Sequence, residues 1–336
     1  MAGLDSGVVY NAGSPQTSQR KMYARPQTLE QALELLAQGP RTILAGGTDY
    51  YPGLRDRAPT TAVIDITSID ALNSIVVDDK SGAVRIGALT TWSALVAASL
   101  PPAFDALKAA AIEVGSVQIQ NRATLAGNLC NASPAADGVP PLLCLDAEVE
   151  LTSLNGVRCV PLGQFIQGNR KTLRNVDEMV TAILIPANAS AEHSAFIKLG
   201  TRRYLVISIS MVAANIELEP SGQIRRASIS VGSCSEVATR LPSLEHALTG
   251  MQASDFSAGD VSDGLPEEQR VTATMPASIP ASIPASIKEQ IDAAVRADLN
   301  PISDVRATGD YRLQAATVLI ERAVTRAVAS AQGWQT

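Results

Sequence analysis

Histidine is nearly missing from this chain: His193 and His246 are the only two among 336 residues. The four cysteines, Cys130, Cys144, Cys159 and Cys234, form no C-x-x-C pair and no cluster. These gaps argue against a metal site or an iron–sulfur cluster held by this chain, because both need grouped thiolates or imidazoles. The thiols read instead as small apolar side chains. Aromatic residues make up only 4%, so the core must be mostly Ala, Val, Ile and Leu. No apolar run reaches the ~18 residues that suggest a membrane span. The start, Met1-Ala2-Gly3-Leu4-Asp5-Ser6-Gly7, has no charged region followed by an apolar stretch. No secretory leader is expected, and a cytoplasmic protein is the default. A basic excess is missing too. The formal net charge of −6 argues against a nucleic-acid partner.

What is present is a long, rather apolar chain with room for two or three cores. One stretch organises it: Ala123-Thr124-Leu125-Ala126-Gly127-Asn128-Leu129-Cys130-Asn131-Ala132-Ser133-Pro134-Ala135-Ala136-Asp137. These residues are small and mostly neutral. Gly127 lets a ligand approach the backbone, and Thr124, Asn128, Asn131 and Ser133 add hydroxyl and amide groups. Backbone N–H groups in such a loop can line an anion-binding concavity without Lys or Arg. Asp137 reads as the N-cap of a short helix, Val139 to Asp146, with Pro140 and Pro141 in its first turn. A plain glycine turn is the competing reading of this stretch alone. A second segment, Arg41-Thr42-Ile43-Leu44-Ala45-Gly46-Gly47-Thr48-Asp49-Tyr50, is an apolar strand entering Gly-Gly and a hydroxyl. Together the two could hold both phosphates of one dinucleotide.

The remaining pattern is α/β, then antiparallel. A loose arm is expected over 1–19. Thr28 should cap a helix carrying Leu29, Leu33 and Leu36, stopped at Gly39-Pro40. Strands follow at Thr42–Ala45 and Ala62–Ile66. A hairpin is expected around Asp78–Gly82, a helix from Thr90, and a longer helix from Pro101 to Val114. Asn155-Gly156 marks a second hairpin, and Val180–Ile185 is a further strand. Beyond residue 190 three antiparallel strands, Ser194–Leu199, Ile209–Leu218 and Ile224–Val231, precede helices at Ser243–Gly250, Ile287–Leu299 and Tyr311–Ala331. A Pro/Ser/Ala-rich insert, 251–286, repeats the unit Pro-Ala-Ser-Ile, which forbids helix and sheet.

Both loops closely resemble those of the FAD-binding (medium) subunits of molybdenum hydroxylases, the xanthine dehydrogenase and carbon monoxide dehydrogenase family. Phe196-Ile197-Lys198-Leu199-Gly200-Thr201-Arg202-Arg203 and Ile302-Ser303-Asp304-Val305-Arg306-Ala307-Thr308-Gly309-Asp310-Tyr311-Arg312 fit as well. The resemblance implies an α+β fold. A PCMH/VAO-type FAD-binding domain has two α/β subdomains, 20–70 and 71–188. A C-terminal domain, 190–336, carries a three-stranded antiparallel sheet and a helix bundle. It implies non-covalent FAD lying between the subdomains, since Thr48 stands where covalent relatives carry His. It further implies a large partner subunit with a molybdenum cofactor, a small partner subunit with [2Fe–2S] clusters, and NAD or another electron acceptor. By the same resemblance Ile43, Leu44, Ala45, Gly46, Gly47, Thr48, Asp49 and Tyr50 form the first phosphate loop. Thr124, Ala126, Gly127 and Asn128 form the second. Asp137 contacts FAD directly or caps its helix. Lys198 stands near the flavin ring, where its charge favours the anionic reduced flavin; a surface salt bridge is its competing reading. Val114 belongs to the same cofactor site, Val180 packs against the cofactor, and Ile207 falls where some members place a tyrosine against the flavin ring and others an isoleucine. No residue reads as a general base or nucleophile, and flavin chemistry requires none. Two other readings keep the same fold: a stand-alone flavin oxidoreductase, which would need its own substrate pocket, and an assembly protein that lost FAD, which broken glycine loops would favour.

Overall fold

A computed structural model describes residues 22–187, 193–202, 205–256 and 284–332. The expected arm and most of the Pro-Ala-Ser-Ile insert lie outside the described residues. The first sheet is parallel. After β1 (Tyr23–Ala24), Thr28 caps helix α1 (Leu29–Ala37) by accepting from Gln31 N at 3.3 Å. Leu33 and Leu36 on the buried face of α1 match the apolar spacing of the sequence. β2 (Thr42–Leu44) runs through Gly46-Gly47 into the short helix α2 (Tyr50–Leu54), and β3 (Val63–Asp65) returns between β1 and β2, parallel to both. Leu33, Leu36, Ile64, Ile66, Ile69 and Leu72 form its core. Each such side chain contributes about 1.5–3 kcal/mol when fully buried.

The second sheet begins with the hairpin of β4 (Ile75–Val77) and β5 (Val84–Gly87). Its turn is held by Asp78, which accepts from Lys80 N at 2.9 Å and Ser81 Oγ at 2.7 Å. Helix α3 (Trp92–Ala97) follows its cap, Thr91. The long helix expected from Pro101 does not form as one piece. A single 3-10 turn, Pro102–Phe104, precedes α4 (Asp105–Glu113), because prolines cannot donate to an α-helical ladder. Three short helices, α5 (Val117–Gln120), α6 (Leu125–Asn131) and α7 (Val139–Cys144), lead to the hairpin of β6 (Glu148–Ser153) and β7 (Gly156–Pro161). Gly156 takes φ +128 in its turn. After α8 (Leu162–Phe165), a small hairpin of β8 (Ile166–Gly168) and β9 (Lys171–Thr172) precedes β10 (Met179–Ile185). β10 inserts between the two earlier hairpins, giving the antiparallel order β4-β5-β10-β6-β7. Trp92, Phe104, Leu107, Leu125, Leu129, Leu142 and Phe165 belong to the core beneath it.

The third sheet has four strands, not the expected three. β11 (His193–Leu199), β12 (Ser210–Leu218) and β13 (Ile224–Gly232) are joined by a two-residue strand, β14 (Thr239–Arg240). Such a strand is too short for a periodic signal. It is fixed by Arg240, whose guanidinium donates to Glu245, to Asp146 at 2.9 Å and to Leu143 O at 2.8 Å. Helices α9 (Pro242–Leu248), α10 (Ala285–Asp298) and α11 (Gly309–Ala331) share a core with one face of this sheet. Against the other face, Ala106, Ala110 and Cys144 meet Phe196, Met211 and Ala213. β12 is thus buried almost throughout.

The Asp304–Arg312 segment explains itself in this packing. Thr308 caps α11, and Arg312 in its first turn is 1% exposed. Its guanidinium donates to Ile209 O, to Ser233 O at 2.6 Å and to Asp304 Oδ1 at 2.6 Å. Burial alone would raise the Asp304 carboxyl, but the Arg306 backbone N–H and the Arg306 and Arg312 guanidinium groups outweigh it and hold it at about 2. A carboxylate depressed by folding stabilises the protein above its unfolded value and loses that contribution as pH falls through its folded value. Urea midpoints measured from about pH 5 to about pH 2 should therefore drop. Asp304→Asn should flatten part of that drop; an unchanged acid limb would refute the assignment.

Candidate functional site

Two segments distant in sequence meet across one cavity. The first leaves β2 and runs Ala45-Gly46-Gly47-Thr48-Asp49 into α2. The second runs from Ala123 and Thr124 into α6. Their backbones touch at Gly46: a Cβ there would lie 1.9 Å from Arg122 O and 2.9 Å from Ala123 Cα, so only glycine permits the approach. Gly47 takes φ +73, a left-handed conformation that glycine adopts without penalty. Among the described residues, none accepts a hydrogen bond from the backbone N–H groups of Gly46, Gly47, Thr48 or Asp49. These donors are open to an anion.

The second segment, expected as a loop, is largely helical. Thr124 Oγ1 accepts from Gly127 N at 3.0 Å and caps α6, while Leu125, Ala126 and Leu129 turn into the core. A glycine inside a helix costs about 1 kcal/mol relative to alanine, which a threonine cap of similar worth offsets. The start of α6 is tied to the start of α3 by Leu125 N donating to Thr90 O at 3.1 Å and Trp92 N to Ala123 O at 3.2 Å.

Between the segments lies a cavity of about 650 Å³, within the usual range of ligand pockets. All eight residues from Ile43 to Tyr50 line it, with Val114, Thr124, Ala126, Gly127, Asn128 and Val180. Three residues singled out in the sequence stand elsewhere. Asp137 does not cap α7: Gly138 occupies that position and no side chain bonds the helix end. Instead Asp137 Oδ2 accepts from Lys198 Nζ at 2.8 Å and Oδ1 accepts from Ser208 Oγ at 2.6 Å. A charged partner on the neighbouring sheet outcompetes the neutral N–H groups of the helix end. Lys198 is accordingly no surface residue; the two side chains are only 6% and 10% exposed. Burial pushes the Asp137 carboxyl up, and Lys198 and Ser208 pull it part of the way back. Lys198 Nζ also approaches Glu113 O at 3.5 Å, next to the cavity residue Val114. Ile207 is half exposed between β11 and β12.

The cavity also has walls beyond the residues that the resemblance named. Arg41, Arg170 and Arg174 line it, with a single carboxylate, Asp49, among the described lining residues. An excess of cations there stands out in a chain of net charge −6, and it adds guanidinium groups to the backbone donors that the sequence suggested. Trp92, Ile119, Asn131 and Met179 complete the walls. Cys130 opens onto the cavity, but the protein crowded around its thiol raises it to about 11. It is neutral near pH 7 and a poor nucleophile. Open backbone donors and guanidinium groups beside apolar side chains such as Val114 and Val180 suit a ligand with a diphosphate between two ring systems.

A family model described as the FAD binding domain in molybdopterin dehydrogenase matches residues 16–188. The chain is 30% identical over 316 residues to a xanthine dehydrogenase FAD-binding subunit of Escherichia coli O157:H7, covering 93% of this chain and 97% of the relative. It is 34% identical over 233 residues to a nicotinate dehydrogenase FAD-subunit of Eubacterium barkeri, covering 67% and 78%. Among solved structures, it superposes on a chain of reconstituted CO dehydrogenase from Oligotropha carboxidovorans with a TM-score of 0.77 at 25% identity, covering 91% of this chain and 97% of that one.

Proposed function

The chain belongs to the family of FAD-binding domains of molybdopterin dehydrogenases, and from that premise we propose that it is the flavin subunit of a xanthine-dehydrogenase-like molybdenum hydroxylase. The observation that carries this is the Gly46–Arg122 approach, which brings open backbone donors and an arginine-rich wall to one cavity. In this reading Gly46 to Asp49 hold the diphosphate through backbone N–H groups. Val114 and Val180 pack against the ring systems and keep water from them. Lys198, paired with Asp137, approaches Glu113 O beside Val114, and in this reading the end of that ion pair nearer the cavity polarises the site toward an anionic reduced ring. When bound, FAD supplies the capacity to take electrons singly or in pairs. The electrons come from [2Fe–2S] clusters of a small partner subunit after hydroxylation of an N-heterocycle, purine or aldehyde at a molybdenum subunit. They leave to NAD or another acceptor, in a cytoplasmic complex. Among the described residues, no helix is long and apolar enough to cross a membrane.

The test is the visible spectrum of the chain purified alone and with its partner subunits. A flavin spectrum with acid-releasable FAD, and substrate-driven bleaching in the complex only, are the expected results. A colourless chain that takes up no added FAD would overturn the proposal. Substrate oxidation by the yellow chain alone would replace it with a self-sufficient flavoenzyme.

A further inference from the structure

We propose that Arg170 is a clasp for the dinucleotide, binding its phosphate or ribose oxygens while tying together the two segments that hold it. The inference rests on the FAD reading above and extends it to a residue outside both glycine segments. Arg170 sits in the turn of the β8–β9 hairpin, at the cavity wall. One nitrogen, Nη1, donates to Asp49 Oδ2 at 2.7 Å and to Asn131 Oδ1. Asp49 ends the first segment, and Asn131 is the last residue of α6. One guanidinium nitrogen therefore joins the two segments at the cavity wall, through partners 121 and 39 residues away in sequence.

The backbone is arranged to present it. Arg170 takes φ +60, a left-handed conformation disfavoured for a side chain of its size. Its N–H donates at 2.9 Å to the carbonyl of Ala132, itself left-handed at the end of α6. The adjoining Asn169 N donates to Glu236 Oε1 at 3.2 Å, so the third sheet's side of the molecule steadies the hairpin. Strain of this kind persists where surrounding contacts hold it, and it clusters at ligand clamps.

The guanidinium is not used up by these contacts. Among the described residues, Nε and Nη2 of Arg170 have no acceptor. A planar fork with spare N–H groups matches the paired oxygens of a phosphate. Both members of the Arg170–Asp49 pair are more than half exposed, so the pair itself contributes little to folding. Its consequence is for a ligand lying between the segments: the bridge must part before that ligand leaves.

Arg170→Gly is the decisive variant, because it removes the side chain and relieves the left-handed strain at once. Apoprotein melting temperature should hold or rise. FAD dissociation, followed by the return of free-flavin fluorescence on dilution, should quicken at least ten-fold. Arg170→Lys, which keeps the charge but loses the fork, should fall between Arg170→Gly and the parent protein. Dissociation within two-fold of the parent for Arg170→Gly would refute the clasp while leaving the FAD site intact. A melting temperature that falls with no change in FAD dissociation would make Arg170 a structural residue only. A parent chain that takes up no FAD would overturn the underlying reading, and the clasp with it.

Discussion

Gly46→Val protein is expected to emerge from purification without FAD. The first added carbon would lie 1.9 Å from Arg122 O and 2.6 Å from its carbonyl carbon, and both neighbours are backbone. No side-chain rotation can relieve such a contact. The two segments must separate by more than 1 Å to reach ordinary van der Waals distance, and the backbone donors of Gly46 to Asp49 move away from the opposite wall. Overpacking of this kind costs about 1–3 kcal/mol in stability. The loss in affinity should be larger in proportion, at least about 100-fold or ~2.7 kcal/mol, because several donors lose their aim together. The ratio of flavin to protein absorbance and a fluorescence titration of apoprotein measure it. Gly53→Ala is the control, since a Cβ at Gly53 meets nothing within 4 Å. Full flavin content in Gly46→Val would mean that the loaded protein does not keep these segments in contact.

Lys198→Met should destabilise the chain by about 3–5 kcal/mol, because it leaves the Asp137 carboxylate buried without its cation. Ser208 alone then faces it. The double variant Asp137→Asn/Lys198→Met should recover much of the loss, as removing both charges commonly does. The effect has a definite pH dependence. Burial already raises Asp137, and without Lys198 it rises further. A carboxyl raised by folding favours the folded state below its unfolded value, and that advantage is lost as pH rises through the folded one. Urea unfolding of Lys198→Met should thus show its greatest deficit near neutral pH and recover as the solution is acidified into the ordinary carboxylate range. A deficit independent of pH would point to lost packing of the lysine stem instead.

The sequence was most legible where the chemistry is local. Thr28 as a cap and Asn155-Gly156 as a hairpin turn are each decided within a few residues, and both stand in the structure as read; the close approach of Gly46 to Arg122 is long-range and was not read. Gly127 misled because small polar composition resembles a loop; the stronger signal was Thr124 followed by Leu125 and Leu129, a capped helix with apolar residues four apart. Asp137 misled for the opposite reason. Its sequence neighbours offer a helix end, but a lysine 61 residues on offers a charge. Arg170 was invisible: its turn is readable, yet nothing near it says that the hairpin folds back onto Asp49. Resemblance to a family found the residues in the two glycine segments and passed over Arg170 and Arg174, which reach the cavity from and just beyond the β8–β9 hairpin.

The place of β10 at the centre of its sheet has a consequence for the nascent chain. The hairpins β4–β5 and β6–β7 are made first, and neither pairs with the other except through β10. An isolated hairpin is marginal in water, so this sheet cannot close until residue 185 has left the ribosome. Asp137 waits longer, for Lys198 and Ser208. The flavin therefore meets a finished cradle only late in synthesis, and truncated products ending before β10 should present two open sheet edges to chaperones and proteases.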